Sequence, residues 1–329
     1  MKNFINRVDT VLEESLDGFV AAHSDIVALG NDYEFVRRKT PKPGKVALIS
    51  GGGAGHEPLH AGFVGHGMLD AACPGQIFTS PTPNQMLNAA NSVDGGAGVL
   101  FIVKNYSGDM MNFHMAAELL DQENETVIVN DDVAVENSTH TTGRRGVAGT
   151  LIVEKILGAA AERGYTLKQL KILGDAVNKS TASMGVALTS CTVPAAGKPT
   201  FQISGTDMEV GVGIHGEPGR RRVPLASADA IAKELTEAVI NDLSLKNGSE
   251  VILLVNGFGG TPMIELYLMV NAARKILAHA GVKVIRFLTG SYVTSLEMAG
   301  CSITVTAVDS ETIELWDAAV HTPALRWGM

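Results

Sequence analysis

The sequence predicts an α/β protein of two domains, with mainly parallel or mixed sheets covered by helices. Three observations carry that reading. Apolar runs of strand length alternate with segments whose apolar residues recur at three- and four-residue spacing. The 329 residues are enough to bury two cores. An apolar content of 45% and 36 glycines suit tight turns between strands and helices.

In chain order, strands are expected at 46–50, 99–103 and 126–130, and helices at 84–93, 110–120, 150–163 and 166–179. Beyond residue 185 short strand-like pieces cluster at 185–187, 200–203 and 208–214, ahead of a helix at 227–240. A polar break at 244–249 precedes a strand at 251–255, a helix at 262–280 and strands at 282–288 and 302–308. The change of character places a domain boundary near residue 184, giving domains 1–184 and 185–329.

A net charge of −9 argues against nucleic acid as a partner, because duplex binding rests on phosphate neutralisation by Lys and Arg. Apolar runs stay below the ~18 residues of a membrane span, and residues 1–7 lack the apolar block of a signal peptide. A cytoplasmic protein is expected. Cys73, Cys191 and Cys301 are odd in number and far apart, which indicates neither a disulfide framework nor a thiolate metal cage. Two basic clusters, Arg144-Arg145 and Arg220-Arg221-Arg222, read as solvated turns, although the second lies close enough to His215 to meet a phosphate or an acidic partner.

The densest chemical signal is Gly211-Val-Gly-Ile-His215-Gly-Glu-Pro-Gly219, a strand-like run delivering one imidazole into glycines. There Glu217 is placed to fix the tautomer and leave a ring nitrogen nucleophilic, unless His215 is an ordinary core histidine. A second strand runs into Gly51-Gly-Gly53-Ala54-Gly55-His56-Glu-Pro58. Glycine-rich turns after strands cradle phosphates, yet this one matches neither the P-loop nor the dinucleotide spacing, so the chain is not expected to hold ATP itself. His56-Glu-Pro-Leu-His60 formally matches a zinc-protease pattern, but that pattern needs both histidines on an established helix. Pro58 instead reads as the start of a helix containing His60, and no metal site is expected. Asp109, at the start of the 110–120 helix, reads either as an N-cap or as a carboxylate that takes a substrate hydroxyl's proton. Lys104, ending a strand, reads either as an exposed terminus or as a donor to a substrate oxygen.

Together with Pro74-Gly-Gln-Ile-Phe-Thr-Ser-Pro-Thr-Pro83, Thr142-Gly-Arg-Arg-Gly-Val-Ala148, Cys191-Thr-Val-Pro-Ala-Ala-Gly-Lys-Pro199 and Trp316-Asp-Ala-Ala-Val-His-Thr-Pro-Ala-Leu-Arg-Trp327, these motifs cover nearly the whole chain. The chain resembles the dihydroxyacetone-binding K subunits of bacterial dihydroxyacetone kinases linked to the phosphotransferase system. The resemblance implies a covalent hemiaminal between a ring nitrogen of His215 and the keto carbon of dihydroxyacetone. It implies substrate contacts by Gly53, Ala54, Gly55, His56, Lys104 and Asp109, with His56 and Asp109 assisting proton movement. It further implies ATP, regenerated from ADP with Mg²⁺ on a separate L subunit, a phosphoenolpyruvate-fed M subunit acting indirectly, and a homodimer. Some relatives of this family are sensors or coactivators of a transcription regulator, and that alternative keeps the same pocket.

Overall fold

The computed structural model describes residues 3–30, 34–135, 143–217 and 219–329. Thr142 and Pro218, which belong to two of the quoted motifs, lie outside the described residues. The chain forms two compact units of interleaved sequence. The first comprises Met1–Val129, Val153–Ala176 and Glu314–Met329, the second Asn130–Ile152 and Val177–Ile313.

In the first unit, α1 (Val11–Ala22) is followed by β1 (Val27–Leu29), β2 (Val36–Arg38), β3 (Ala47–Ala54), β4 (Ala71–Ile77), α2 (Pro83–Val93), β5 (Val99–Lys104), α3 (Ser107–Leu119) and β6 (Asn124–Val129). The strands make one sheet in the order β1-β2-β4-β3-β5-β6. Pairing is parallel from β4 through β6 and antiparallel at the β1-β2 and β2-β4 junctions. β3 and β5 are buried along their whole length, as central strands covered on both faces must be. The helix α2 starts where Pro83 follows Thr82, whose capping box with Gln85 satisfies the first free N–H groups. Its Met86, Ala89 and Ala90 pack with Phe113 and Ala116 of α3 against Ile49 and Phe101.

The second unit follows α4 (Gly149–Glu162) and α5 (Leu167–Lys179) with β7 (Thr181–Ala187), β8 (Asp207–Val210), β9 (Arg221–Pro224), α6 (Ala228–Leu243), β10 (Glu250–Gly257), α7 (Met263–His279), β11 (Lys283–Gly290), β12 (Gly300–Ala307) and α8 (Ser310–Asp317). Its sheet runs β11-β10-β12-β7-β8-β9, parallel only between β10 and β11. Leu235, Val239, Leu266 and Leu277 of the helices pack on Leu253, Ile303 and Val305. The two-residue strands β13 (Val320–His321) and β14 (Arg326–Trp327) close the chain within the first unit. Among the described residues no helix is long and apolar enough to cross a membrane.

The mixed α/β architecture is as expected, but five details differ. A cut near residue 184 would fall inside β7, because the chain passes between the units just after β6 and again within α4, α5 and α8. No polar break marks a crossing inside a helix. Residues 200–203 form no strand, and the strand expected at 208–214 ends at Val210, where the Gly211 N–H turns to the Gly185 carbonyl at 2.7 Å. The three arginines stand on or beside β9 rather than in a turn. Pro58 opens no α-helix: residues 57–60 form turns, and only a single 3₁₀ turn follows at Ala61–Phe63.

A buried ion network ties the antiparallel end of the first sheet to the end of α4. Arg38 donates to Asp70 at 3.0 Å and to Glu162 at 2.6 Å, Lys42 donates to Glu162 at 2.9 Å, and Lys45 pairs with Asp70. Burial pushes the Glu162 carboxyl up, but Arg38, Lys42 and Lys45 outweigh it and hold the group at about 2. A depressed carboxyl pKa stabilises the fold above its ordinary value of 4.5, and the contribution is lost as pH falls toward about 2. Glu162→Gln therefore lowers Tm at neutral pH, and the gap to wild type narrows steadily below pH 4.5 in scanning calorimetry.

Candidate functional site

Lys104 ends the central strand β5 with its side chain fully buried. An ammonium without water must be met by acceptors. Its Nζ lies 3.3 Å from the Gly51 carbonyl, 3.0 Å from Nε2 of His60 and 3.6 Å from Oδ2 of Asp109. The reading of Lys104 as an exposed strand terminus is thereby replaced.

Asp109 is 4% exposed and sits in the first turn of α3, not at its N-cap. The helix starts two residues earlier, at Ser107, with Tyr106 as N-cap and no side-chain capping bond. The cause is local: Tyr106 N–H bonds the Lys104 carbonyl at 2.8 Å, and Met110 N–H already reaches Tyr106 O at 2.8 Å. Asp109 is thus the third helical residue, where the N-terminal end of the helix dipole favours a carboxylate.

Gly53 and Ala54 end β3, and Gly55 donates its N–H to both carboxylate oxygens of Glu57 at 3.1 and 2.9 Å. A side chain at Gly53 would place Cβ 2.5 Å from the Thr79 nitrogen and 2.7 Å from the Phe78 Cα, so this close approach of two backbones requires glycine. The buried ring of His56 stacks on Phe78, with centroids 5.0 Å apart and planes at 21°. His60 turns toward Glu154 of α4, its Nδ1 2.6 Å from Oε1. Both ring nitrogens of His60 are thus taken by protein groups rather than offered to a metal.

His215 belongs to the second unit, half-buried in the loop that joins β8 to β9. The buried guanidinium of Arg145 spans this loop. Its Nη2 donates to the Gly211 carbonyl at 2.8 Å, Nη1 pairs with Glu217 at 3.3 Å and Nε donates to Asp132 at 2.8 Å. Glu217 accepts the backbone N–H of His215 at 2.9 Å through its other oxygen, so its observed work is to hold the main chain of the loop. Gly216 has φ +72°, and a Cβ there would come within 2.5 Å of Thr200 Oγ1 and 2.8 Å of Cys191 Sγ. Burial pushes Asp132 up to about 6, against the pull of Arg145.

The first unit therefore gathers Gly53, Ala54, Gly55, His56, Lys104 and Asp109 around the ends of β3 and β5, while the second unit frames His215. Sequence reasoning missed Arg145, because two adjacent arginines look alike until one is buried and the other is not. Arg144 pairs at the surface with Asp242. It also missed the His60–Glu154 contact, which links residues 94 apart in sequence. Of the arginine triplet, Arg221 pairs with Glu234, and Arg222 with Glu209 at 2.8 Å.

Removing Arg145 strands two carboxylates in a dry loop, so Arg145→Met costs ~3–5 kcal/mol in urea unfolding. Arg144→Met, which breaks only a half-exposed pair, costs ~1 kcal/mol or less in the same experiment.

A family model, the Dak1 domain, matches residues 17–324. The dihydroxyacetone-binding subunit of the PEP-dependent dihydroxyacetone kinase of Escherichia coli (strain K12) is 47% identical, with all of both chains covered. Among solved structures, a dihydroxyacetone kinase operon co-activator superposes with a TM-score of 0.90 at 31% identity, covering 95% of this chain and 97% of that one. The dihydroxyacetone kinase from C. freundii, in complex with AMP-PNP and Mg²⁺, gives 0.89 at 33% identity, covering 98% of this chain and 60% of that one.

Proposed function

The chain belongs to the Dak1 family, and from that premise we propose that it is the dihydroxyacetone-binding subunit of a multi-subunit kinase. The observation that carries this reading is the 47% identity to such a subunit over the full length of both chains. Every motif residue expected to touch substrate is present.

In the proposed reaction a ring nitrogen of His215 adds its lone pair to the keto carbon of dihydroxyacetone. The carbonyl π pair moves to oxygen, which gains a proton, and the ring's other nitrogen gives one up. The result is a neutral hemiaminal, and reversal releases product. A covalent link makes sense for a three-carbon ligand with little surface to bury. It selects carbonyl compounds over glycerol and fixes the reacting hydroxyl, an orientation gain of several kcal/mol in favourable cases. Asp109, with Lys104 beside it and His56 assisting, takes the proton of that hydroxyl as its oxygen attacks the terminal phosphorus of ATP and ADP departs. The nucleotide and Mg²⁺ are assigned to a partner L subunit, and a phosphoenolpyruvate-fed M subunit recharges the ADP. We place the protein in the cytoplasm as a homodimer.

Reconstitution tests the reading. The chain alone with ATP forms no dihydroxyacetone phosphate, whereas addition of L and M subunits with phosphoenolpyruvate starts turnover. Tight dihydroxyacetone binding without turnover beside a competent partner would instead identify a sensor, the second reading that the likeness to an operon co-activator favours. Two substitutions separate the chemical roles. His215→Ala abolishes the adduct in soaked crystals and in intact-mass spectra. Asp109→Ala keeps the adduct and slows phosphoryl transfer ~100-fold.

A further inference from the structure

We propose that His60 is a positioning residue that holds the Lys104 ammonium beside Asp109, with Glu154 locking the ring. This rests on the reading of Lys104 and Asp109 as substrate-facing groups. All four residues belong to the first unit and form one buried chain: Asp109 Oδ2 to Lys104 Nζ 3.6 Å, Lys104 Nζ to His60 Nε2 3.0 Å, His60 Nδ1 to Glu154 Oε1 2.6 Å.

The chemistry fixes the tautomer. A lysine ammonium offers donors only, so Nε2 of His60 must be bare and accept. The single ring proton then sits on Nδ1, aimed at Glu154. Burial lowers the His60 pKa well below its ordinary value, with Lys104 and then His56 adding to the effect. Burial raises the Glu154 carboxyl well above the usual range, with Lys104 pulling the other way. With Nε2 bare and the single ring proton on Nδ1, the ring is neutral, so the His60–Glu154 contact is a hydrogen bond rather than an ion pair.

A cavity of about 320 Å³, lined by Gly52, Gly53, Leu16 and Phe19 among others, reaches His60. The ring's two nitrogens are engaged by Glu154 at one edge and by Lys104 at the other. Loss of the Nε2 acceptor would leave a buried ammonium one partner short and free to shift away from Asp109.

The experiment uses amide side chains that each reproduce one ring nitrogen, with the chain assembled with its L and M subunits. His60→Asn keeps a donor near the Nδ1 position but no longer reaches Lys104, whereas His60→Gln places an acceptor near Nε2. His60→Asn lowers kcat ~10- to 100-fold with little change in KM for dihydroxyacetone and with the His215 adduct intact. His60→Gln recovers most of that loss. Equal activity in both variants, or equal impairment that tracks a lowered Tm, would overturn the proposal. A readout independent of turnover is the ¹⁵N shift pair of the His60 ring in the wild type. A protonated Nδ1 with a bare Nε2 is expected, and a protonated Nε2 would sink the proposal even if the kinase reading stood. Absence of any adduct in the wild type would sink the kinase reading and leave the ring measurement to decide this one.

Discussion

A lysine ammonium in a dry interior is the constraint around which the first unit is arranged. Lys104 has no measurable exposure, and its charge must be answered by acceptors brought from elsewhere in the chain. Gly51 supplies a carbonyl from the neighbouring strand, His60 a bare ring nitrogen, and Asp109 a carboxylate from the first turn of the next helix. Each of those suppliers is itself positioned by something further out: the buried strand β3, the carboxyl of Glu154, the early start of α3. Burying a charge is expensive, and proteins accept the cost where the group has work to do.

The second unit solves a parallel problem by different means. A glycine-rich loop is a poor platform for chemistry unless something stiffens it, because glycine loses the most freedom on ordering. Arg145 does that from beneath, its planar fork reaching a loop carbonyl, Glu217 and Asp132 at once. Glu217 passes the constraint on to the main chain of His215 itself. In the proposed reaction, a nucleophile whose backbone is already fixed spends less of the small ligand's interaction energy on ordering.

Local features of this architecture were legible in the sequence, and relational ones were not. The central strands, α2 to within one residue of its start, and the glycine junctions before His56 and His215 are written in contiguous residues. Strands β1 and β2, at the antiparallel end of the first sheet, are three residues long and carry too little periodicity to be seen. Asp109 was ambiguous because an N-cap and a third helical residue differ by three residues of helix start, which only the Tyr106–Lys104 turn decides. His60 drew attention as half of a zinc pattern, yet its meaning lies in Glu154, far along the chain. The unit boundary was hidden for a similar reason, since three of its crossings fall inside helices, which carry the chain across without a break in pattern.

One further property comes from where two of the arginines fall. Arg221 and Arg222 lie on β9, the outermost strand of the second sheet, and both keep substantial exposure although each has a glutamate partner. An outer strand with open amide groups invites a neighbouring polypeptide to extend the sheet, the first step toward fibre growth. Bulky charged side chains along that rim are the kind of feature that disfavours such an addition.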